Sequence, residues 1–261
     1  MIQLRRLLSY GAMLGIASAA MSAGCATQET RVREIDPQAD PIFKQMCETL
    51  DAAKTFCVRV QATIDRPVQT GQLAQFHRTS MITATRPDRL RAETDSDDGK
   101  WSVWYRGSAL TILDKDANAY ATEKVPGRIG EMLDYMVDNY DLVMPLADLL
   151  AGKTYDSLLA DVDSGDYLGL HAVGETECHH LLFRQENIDW QIWIDAGKVP
   201  LPRKLLITYT QEADQPQYIA TMDDWDLAPA VSEQTFIFAP PAGAESVPMS
   251  ELVTDGEGAQ P

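Results

Sequence analysis

Two hydrophobic periods alternate along the chain, and their order sets out the architecture. Ile42, Phe43, Met46, Leu50 and Ala53 lie at the spacing of one face of an α-helix. Asp40 followed by Pro41 offers an N-cap acceptor and a proline at the first helical position, so the pattern predicts a helix over 41–54. The period then drops to two. Phe56, Val58, Val60, Ala62 and Ile64 alternate with Cys57, Arg59, Gln61 and Thr63, as in a strand with one buried face. Further strands are predicted at 72–84, 88–94, 100–106, 109–114 and 118–123, separated by turn clusters such as Arg86-Pro87-Asp88, Asp95–Gly99 and Asp114-Lys115-Asp116. Connections this short imply antiparallel pairing, because a parallel crossover takes about a dozen residues.

Helical spacing returns in the middle. Ile129, Met132, Leu133, Met136 and Val137, then Leu146, Leu149, Leu150, Leu158 and Leu159, predict two or three short helices within 127–160, broken near Pro145 and Gly152. Strands resume at 166–173, 177–185, 188–195, 203–211, 217–226 and 234–238. A helix, a run of strands, a helical insert and a second run of strands describe an antiparallel α+β domain. About eleven strands in a meander should curl strongly, into a barrel or an open half-barrel. The Gly-, Pro- and acid-rich stretch after Pro240 reads as a loose tail.

The N-terminus departs from this pattern. Two arginines in Met1–Arg6, an apolar stretch over Leu7–Met21 and the small residues Ser22-Ala23-Gly24 before Cys25 form a secretory signal. The apolar stretch is short for a spanning helix, which needs about 20 apolar residues. Ala-Gly-Cys resembles the end of a bacterial lipoprotein signal and makes Cys25 a candidate for lipid attachment, with Ala26 favouring the outer membrane. Ser22 stands where an aliphatic residue is usual, and plain cleavage after Ala19, Ala20 or Gly24 is the alternative. The expected organisation is a signal peptide over 1–24, an anchor cysteine and tether over 25–39, a folded domain over 40–245 and a flexible acidic tail over 246–261.

Charge narrows the partners. Thirty-nine acids against 22 bases give −17 and a pI of about 4.5. Phosphate backbones and anionic head groups repel such a surface, which argues against nucleic acid and against broad membrane contact beyond an N-terminal lipid. Cys47, Cys57 and Cys178 remain besides Cys25, and Cys47–Cys57 is the best candidate disulfide, since a helix ends between them and the chain turns back into a strand.

Catalytic signatures are lacking: there is no Gly-rich phosphate loop, Gly-x-Ser-x-Gly elbow or His-Glu-x-x-His. Cys178-His179-His180 could touch a metal, but a strand turns only Cys178 and His180 to one face and no further ligand is spaced to join them. Asp161–Asp166 resembles a calcium loop without its later ligands, and an acidic turn explains it equally. No cofactor is called for. The aromatic strand faces say more. Trp101, Val103 and Tyr105 share a face, as do Leu181 and Phe183, and Trp190, Ile192 and Ile194. These residues, with Val58 and Val60, form an ordinary core or line an apolar concavity suited to an acyl chain.

From Glu177 onward the residues carry a resemblance. Glu177–Gln185 runs into Asp189–Asp195, followed by Pro200-Leu201-Pro202-Arg203-Lys204 and Phe236–Ala244. In this order they resemble a bacterial family of predicted periplasmic proteins, a domain of unknown function similar in fold to the LolA/LolB lipoprotein carriers. The resemblance covers roughly 38–248. It implies a LolA-like open half-barrel with helices over its concave face, and offers no catalytic residue. The expected function is a noncatalytic envelope protein that binds a lipid or lipoprotein acyl chain in that cavity. The alternative is an envelope sensor or assembly module of RseB type, acting through a protein partner.

Overall fold

The computed structural model describes residues 33–142 and 146–256, so the expected signal peptide and Cys25 lie outside the described residues. Helix α1 (Ala39–Ala52) is followed by six antiparallel strands: β2 (Thr55–Pro67), β3 (Leu73–Thr85), β4 (Arg89–Ser96), β5 (Gly99–Arg106), β6 (Ala109–Asp114) and β7 (Ala119–Lys124). A helical insert, α2 (Ile129–Tyr140), α3 (Ala147–Ala151) and α4 (Thr154–Leu159), leads to β8 (Ser164–Val173), β9 (Thr176–Arg184), β10 (Ile188–Asp195), β11 (Pro202–Tyr209) and β12 (Gln217–Asp226). Short pieces β1 (Glu34–Ile35) and β13 (Glu245–Ser246), and helix α5 (Met249–Gly256), complete the order.

All strands form one sheet, ordered β1-β8-β9-β10-β11-β12-β2-β3-β4-β5-β6-β7-β13. It is thus two meanders joined where β12 pairs with β2, rather than one continuous meander. The sheet stays open, with β1 and β13 on opposite edges. The strong curl expected from strand number overstates it, because helices packed along one face hold the sheet open.

Alternation places Phe56, Val58, Val60 and Ala62 of β2 on the helix-covered inner face. They divide between two cores. The first gathers α1, α4 and β8–β12, with Phe43 against Phe183 and Trp190 at ring-centroid distances of 5.0 and 5.8 Å. The second gathers α2, α3, α5 and β4–β7 around Tyr105, Leu110 and Met136. Half-buried Ile82, Trp225 and Leu227 pack against both.

Four sequence expectations are corrected. Helix α1 begins at Ala39, because Asp36 takes the Gln38 amide on its carboxylate at 2.7 Å and the Ala39 and Asp40 amides on its carbonyl. Asp40 therefore sits inside the first turn, where it accepts the Tyr155 hydroxyl. The supposed tether contributes Glu34–Ile35, which pair in parallel with Ser164 and Gly165. The expected strand at 234–238 is a 3₁₀ turn, Glu233–Phe236, in a strap that crosses the outer face. Phe238 of the strap packs on Trp104 and Tyr120, each at 4.9 Å, so the alternation there reflects anchoring and not pairing. Finally, the acidic segment expected to be flexible holds α5, whose Met249, Leu252 and Val253 are buried in the second core.

Candidate functional site

The register fixes what the inner face presents. Val60 lies opposite Met222 and Ser80, Ala92 opposite Ile82 and Val103, and Ile192 opposite Leu181 and Leu205. All ten residues read as cavity lining fall on this face. Eight are covered: Val58, Val60, Leu181, Phe183, Trp190, Ile192 and Ile194 belong to the first core and Tyr105 to the second. Relative exposures of 0 to 4% show that the protein's own helices cover them. Trp101 and Val103 differ, being half-buried at the margin of the second core.

They belong to a strip of inner face between the two helical covers. Phe76, Arg78, Ser80 and Ile82 of β3, Ala92 and Thr94 of β4, and Trp101 and Val103 of β5 are all half-buried. Ser80 and Thr94 share a hydroxyl hydrogen bond of 2.8 Å midway, with apolar side chains beyond them. At the strand ends Arg66 stands 5.1 Å over the Phe76 ring and pairs with Asp98 at 2.8 Å. The strip thus has apolar side chains at Ile82, Ala92, Val103 and Trp101, a polar middle and charged groups at the strand ends. Phe76, Ser80, Ile82 and Thr94 were missed in the sequence, although the even-numbered alternation of β3 would have found the first three.

The covers are fastened at their ends. Arg86 donates to the carbonyls of Leu50 and Ala53 at the end of α1, and to those of Leu149 and Leu150 in α3. It also lies 5.0 Å from the Phe56 ring centroid. Burial lowers its pKa and nearby Asp51 opposes the shift. Asp51 in turn accepts the Thr154 hydroxyl at 2.8 Å and the Thr154 amide at 3.2 Å, satisfying a free donor at the start of α4. Burial and the bond to Asp40 push the Tyr155 phenol up to about 12, so this link between α4 and α1 keeps its proton across the physiological range.

The outer face is polar. As strand alternation requires, His180 and His179 part company: His180 stacks on Trp193 at 4.0 Å, while Tyr167 bonds His179 Nδ1 at 3.0 Å. His180 Nδ1 meets His171 Nδ1 at 2.9 Å and its Nε2 donates to Gln191 Oε1 at 2.9 Å, which leaves His171 as donor between the rings. Among the described residues no group of three or more His, Cys, Asp and Glu could hold a metal ion. Asp161–Asp166 is the entry to β8, where the Asp163 carbonyl accepts from Glu34 and its amide donates to Arg184, both at 2.9 Å. A recess of about 270 Å³ is lined by the charged residues Arg59, Glu93, Asp95, Lys100 and Lys115 together with Thr79, Met81 and Thr94.

The expected Cys47–Cys57 disulfide is absent, and both thiols are free. Cys47 is buried in the first core, its thiol pushed up by burial, whereas Cys57 takes an outer-face position of β2. There its thiol donates to Met81 Sδ at 3.4 Å and accepts from Thr83 Oγ1 at 3.5 Å, so the sheet stands between the two sulfurs.

No curated protein matches the sequence. Among solved structures the chain is similar to the lipoprotein LppX of Mycobacterium tuberculosis, at 12% identity over 76% of this chain and 100% of that one, with a TM-score of 0.49. It is similar to LprF from Mycobacterium bovis at 12% identity, over 80% and 98% of the two chains, with a TM-score of 0.47. A LolA superfamily protein from Nitrosomonas europaea is similar at 8% identity, over 77% and 97%, with a TM-score of 0.37. One family model matches residues 39–250, which run from α1 through the strap to the start of α5, and the chain therefore belongs to the family of predicted periplasmic proteins, DUF2092.

Proposed function

We propose that this chain is a noncatalytic envelope protein that takes up a lipid or lipoprotein acyl chain between the inner sheet face and its helical covers. The observation that carries the reading is the half-buried strip of β3–β5, left between two separately packed cores. An acyl chain entering there would lie on Ile82, Ala92, Val103 and Trp101, and would reach the covered faces as α1 lifts. Burial of each methylene contributes about 0.8 kcal/mol, so a long chain has enough driving force to displace side chains that fill the space in its absence. Attachment of a lipid to Cys25, holding the domain at the outer membrane, belongs to the same proposal. Native mass spectrometry of protein purified from membranes tests it. A co-purifying acyl lipid that protects α1 from hydrogen exchange is expected; protein that emerges lipid-free and takes up no added fatty acid would sink the reading.

The complete covering of eight of the ten expected lining residues favours a second reading, in which the inner face is structural and a surface patch binds another envelope protein. In that case a pull-down with the lipid-free domain recovers one stoichiometric partner, and lipid addition leaves the yield unchanged.

A further inference from the structure

One corner of the inner face holds polar atoms that an apolar core does not explain. Trp190, Tyr209 and Gln185 are exposed by 0, 4 and 6%, and the indole Nε1, the phenol oxygen and the amide Oε1 have no hydrogen-bond partner among the described residues. They are neighbours by register. Gln185 and Tyr209 flank Ile188 on either side, since the Gln185 amide donates to the Ile188 carbonyl at 2.9 Å and Ile188 pairs with Tyr209. Trp190 lies two residues further along β10 on the same face. Above it sits Phe43 of α1, the side chain any ligand entering beneath that helix must displace.

Buried donors are nearly always paired, and leaving one unpaired in a dry core is costly. Two such donors, Trp190 Nε1 and the Tyr209 hydroxyl, lie in one corner beneath α1 and suit a state in which something else pairs them, while Gln185 Oε1 is an unpaired acceptor. The two donors are neutral, which suits a neutral carbonyl better than a charged phosphate or carboxylate. An ester carbonyl is their match, because it accepts from an indole N–H or a phenol while its hydrocarbon fits the apolar walls. We infer that Trp190 and Tyr209 form a recognition site for the ester carbonyl of an acylated ligand. The inference rests on the acyl-binding reading above and adds to it that the linkage, and not the hydrocarbon alone, is recognised.

The test compares 1-palmitoylglycerol with its ether analogue 1-O-hexadecylglycerol, which lacks the carbonyl, in wild type and Tyr209→Phe. Wild type should prefer the ester by about tenfold, the equivalent of one hydrogen bond. Tyr209→Phe should shrink that preference to about threefold or less, leave ether affinity unchanged, and melt no lower than wild type without ligand, since it removes an unpaired buried hydroxyl. Equal binding of ester and ether by wild type overturns the recognition site while leaving acyl binding intact. So does a wild-type preference that Tyr209→Phe retains in full, as a buried water satisfying the corner would produce. Binding of neither compound overturns both readings together. Phospholipids and diacylglyceryl lipopeptides both supply such esters, and the tighter binder of phosphatidylethanolamine and a synthetic lipopeptide identifies the source.

Discussion

Arg86 offers the sharpest test of how the covers are held. Replacing it with Met keeps an unbranched stem over Phe56 and removes every donor. Four carbonyls, of Leu50, Ala53, Leu149 and Leu150, then lose their partner. Hydrogen bonds from a charged donor contribute about 1.5–3 kcal/mol each, so a simple sum would exceed 6 kcal/mol. Two effects reduce it. Carbonyls at helix ends can recover water, and the variant no longer desolvates a guanidinium, which costs several kcal/mol on its own. A net loss of about 3 kcal/mol follows, and for a domain of this size it lowers Tm by roughly 6–12 °C. Arg86→Lys keeps the charge but not the fork, and should fall between wild type and Met. Calorimetry with hydrogen exchange gives the readout. Because Arg86 joins α1 to α3, protection should fall at the ends of both helices and not in β2 or β3. A Tm within about 2 °C of wild type, or protection lost evenly across the sheet, would refute the clasp.

Three further outcomes follow from the packing. A methyl group at Gly165 would meet the Phe183 ring at 2.7 Å, and that ring is already stacked 4.3 Å from Trp190, so Gly165→Ala should cost about 1–3 kcal/mol in urea unfolding. An unchanged midpoint would show that the ring can yield. Burial, then His171 and Lys204, hold the His180 pKa below the ordinary 6.5 against the opposing pull of Gln191, so the folded state binds its proton less readily than the unfolded chain. This part of the stability is present above pH 6.5 and is lost as pH falls from there through the folded value. His180→Gln should flatten the loss between neutral pH and about pH 5, and an identical slope in the variant would count against it. With three free thiols in the domain, Cys47, Cys57 and Cys178 should all alkylate in denaturant without reductant, and half-buried Cys57 fastest in the folded state. A disulfide-linked Cys47–Cys57 peptide would contradict the face assignment.

Local period carried most of the fold. The alternation from Phe56 to Ile64 named β2 and its buried face, and the spacing of Ile129, Met132, Leu133, Met136 and Val137 named α2, because each pattern is set by neighbours in sequence. The pairing of β12 with β2 was not legible: register across so long a separation depends on which edges remain free once both meanders form. Composition misled at α5, where acidic neighbours hid Met249, Leu252 and Val253, and at the strap, where Phe236 and Phe238 imitate a strand. For the site, large apolar residues were easy to see and turned out to be the covered ones. Ser80 and Thr94 in the half-buried strip break the apolar alternation, and Arg86 looked like part of a turn cluster, so neither stood out as contacts between distant parts of the chain.

The β12–β2 seam also dictates an order of assembly. Helix α1 precedes every strand of the meanders, yet its buried stripe of Phe43, Met46, Cys47 and Leu50 packs in a core built largely from β8–β12. A chain emerging N-terminus first can complete β2–β7 and the α2 side early, from contacts close in sequence. The stripe of α1 must then wait, unpacked, until nearly the whole polypeptide has emerged and β12 reaches β2. Throughout that interval it is a sticky amphipathic surface at the front of the chain, the natural point for a chaperone to hold.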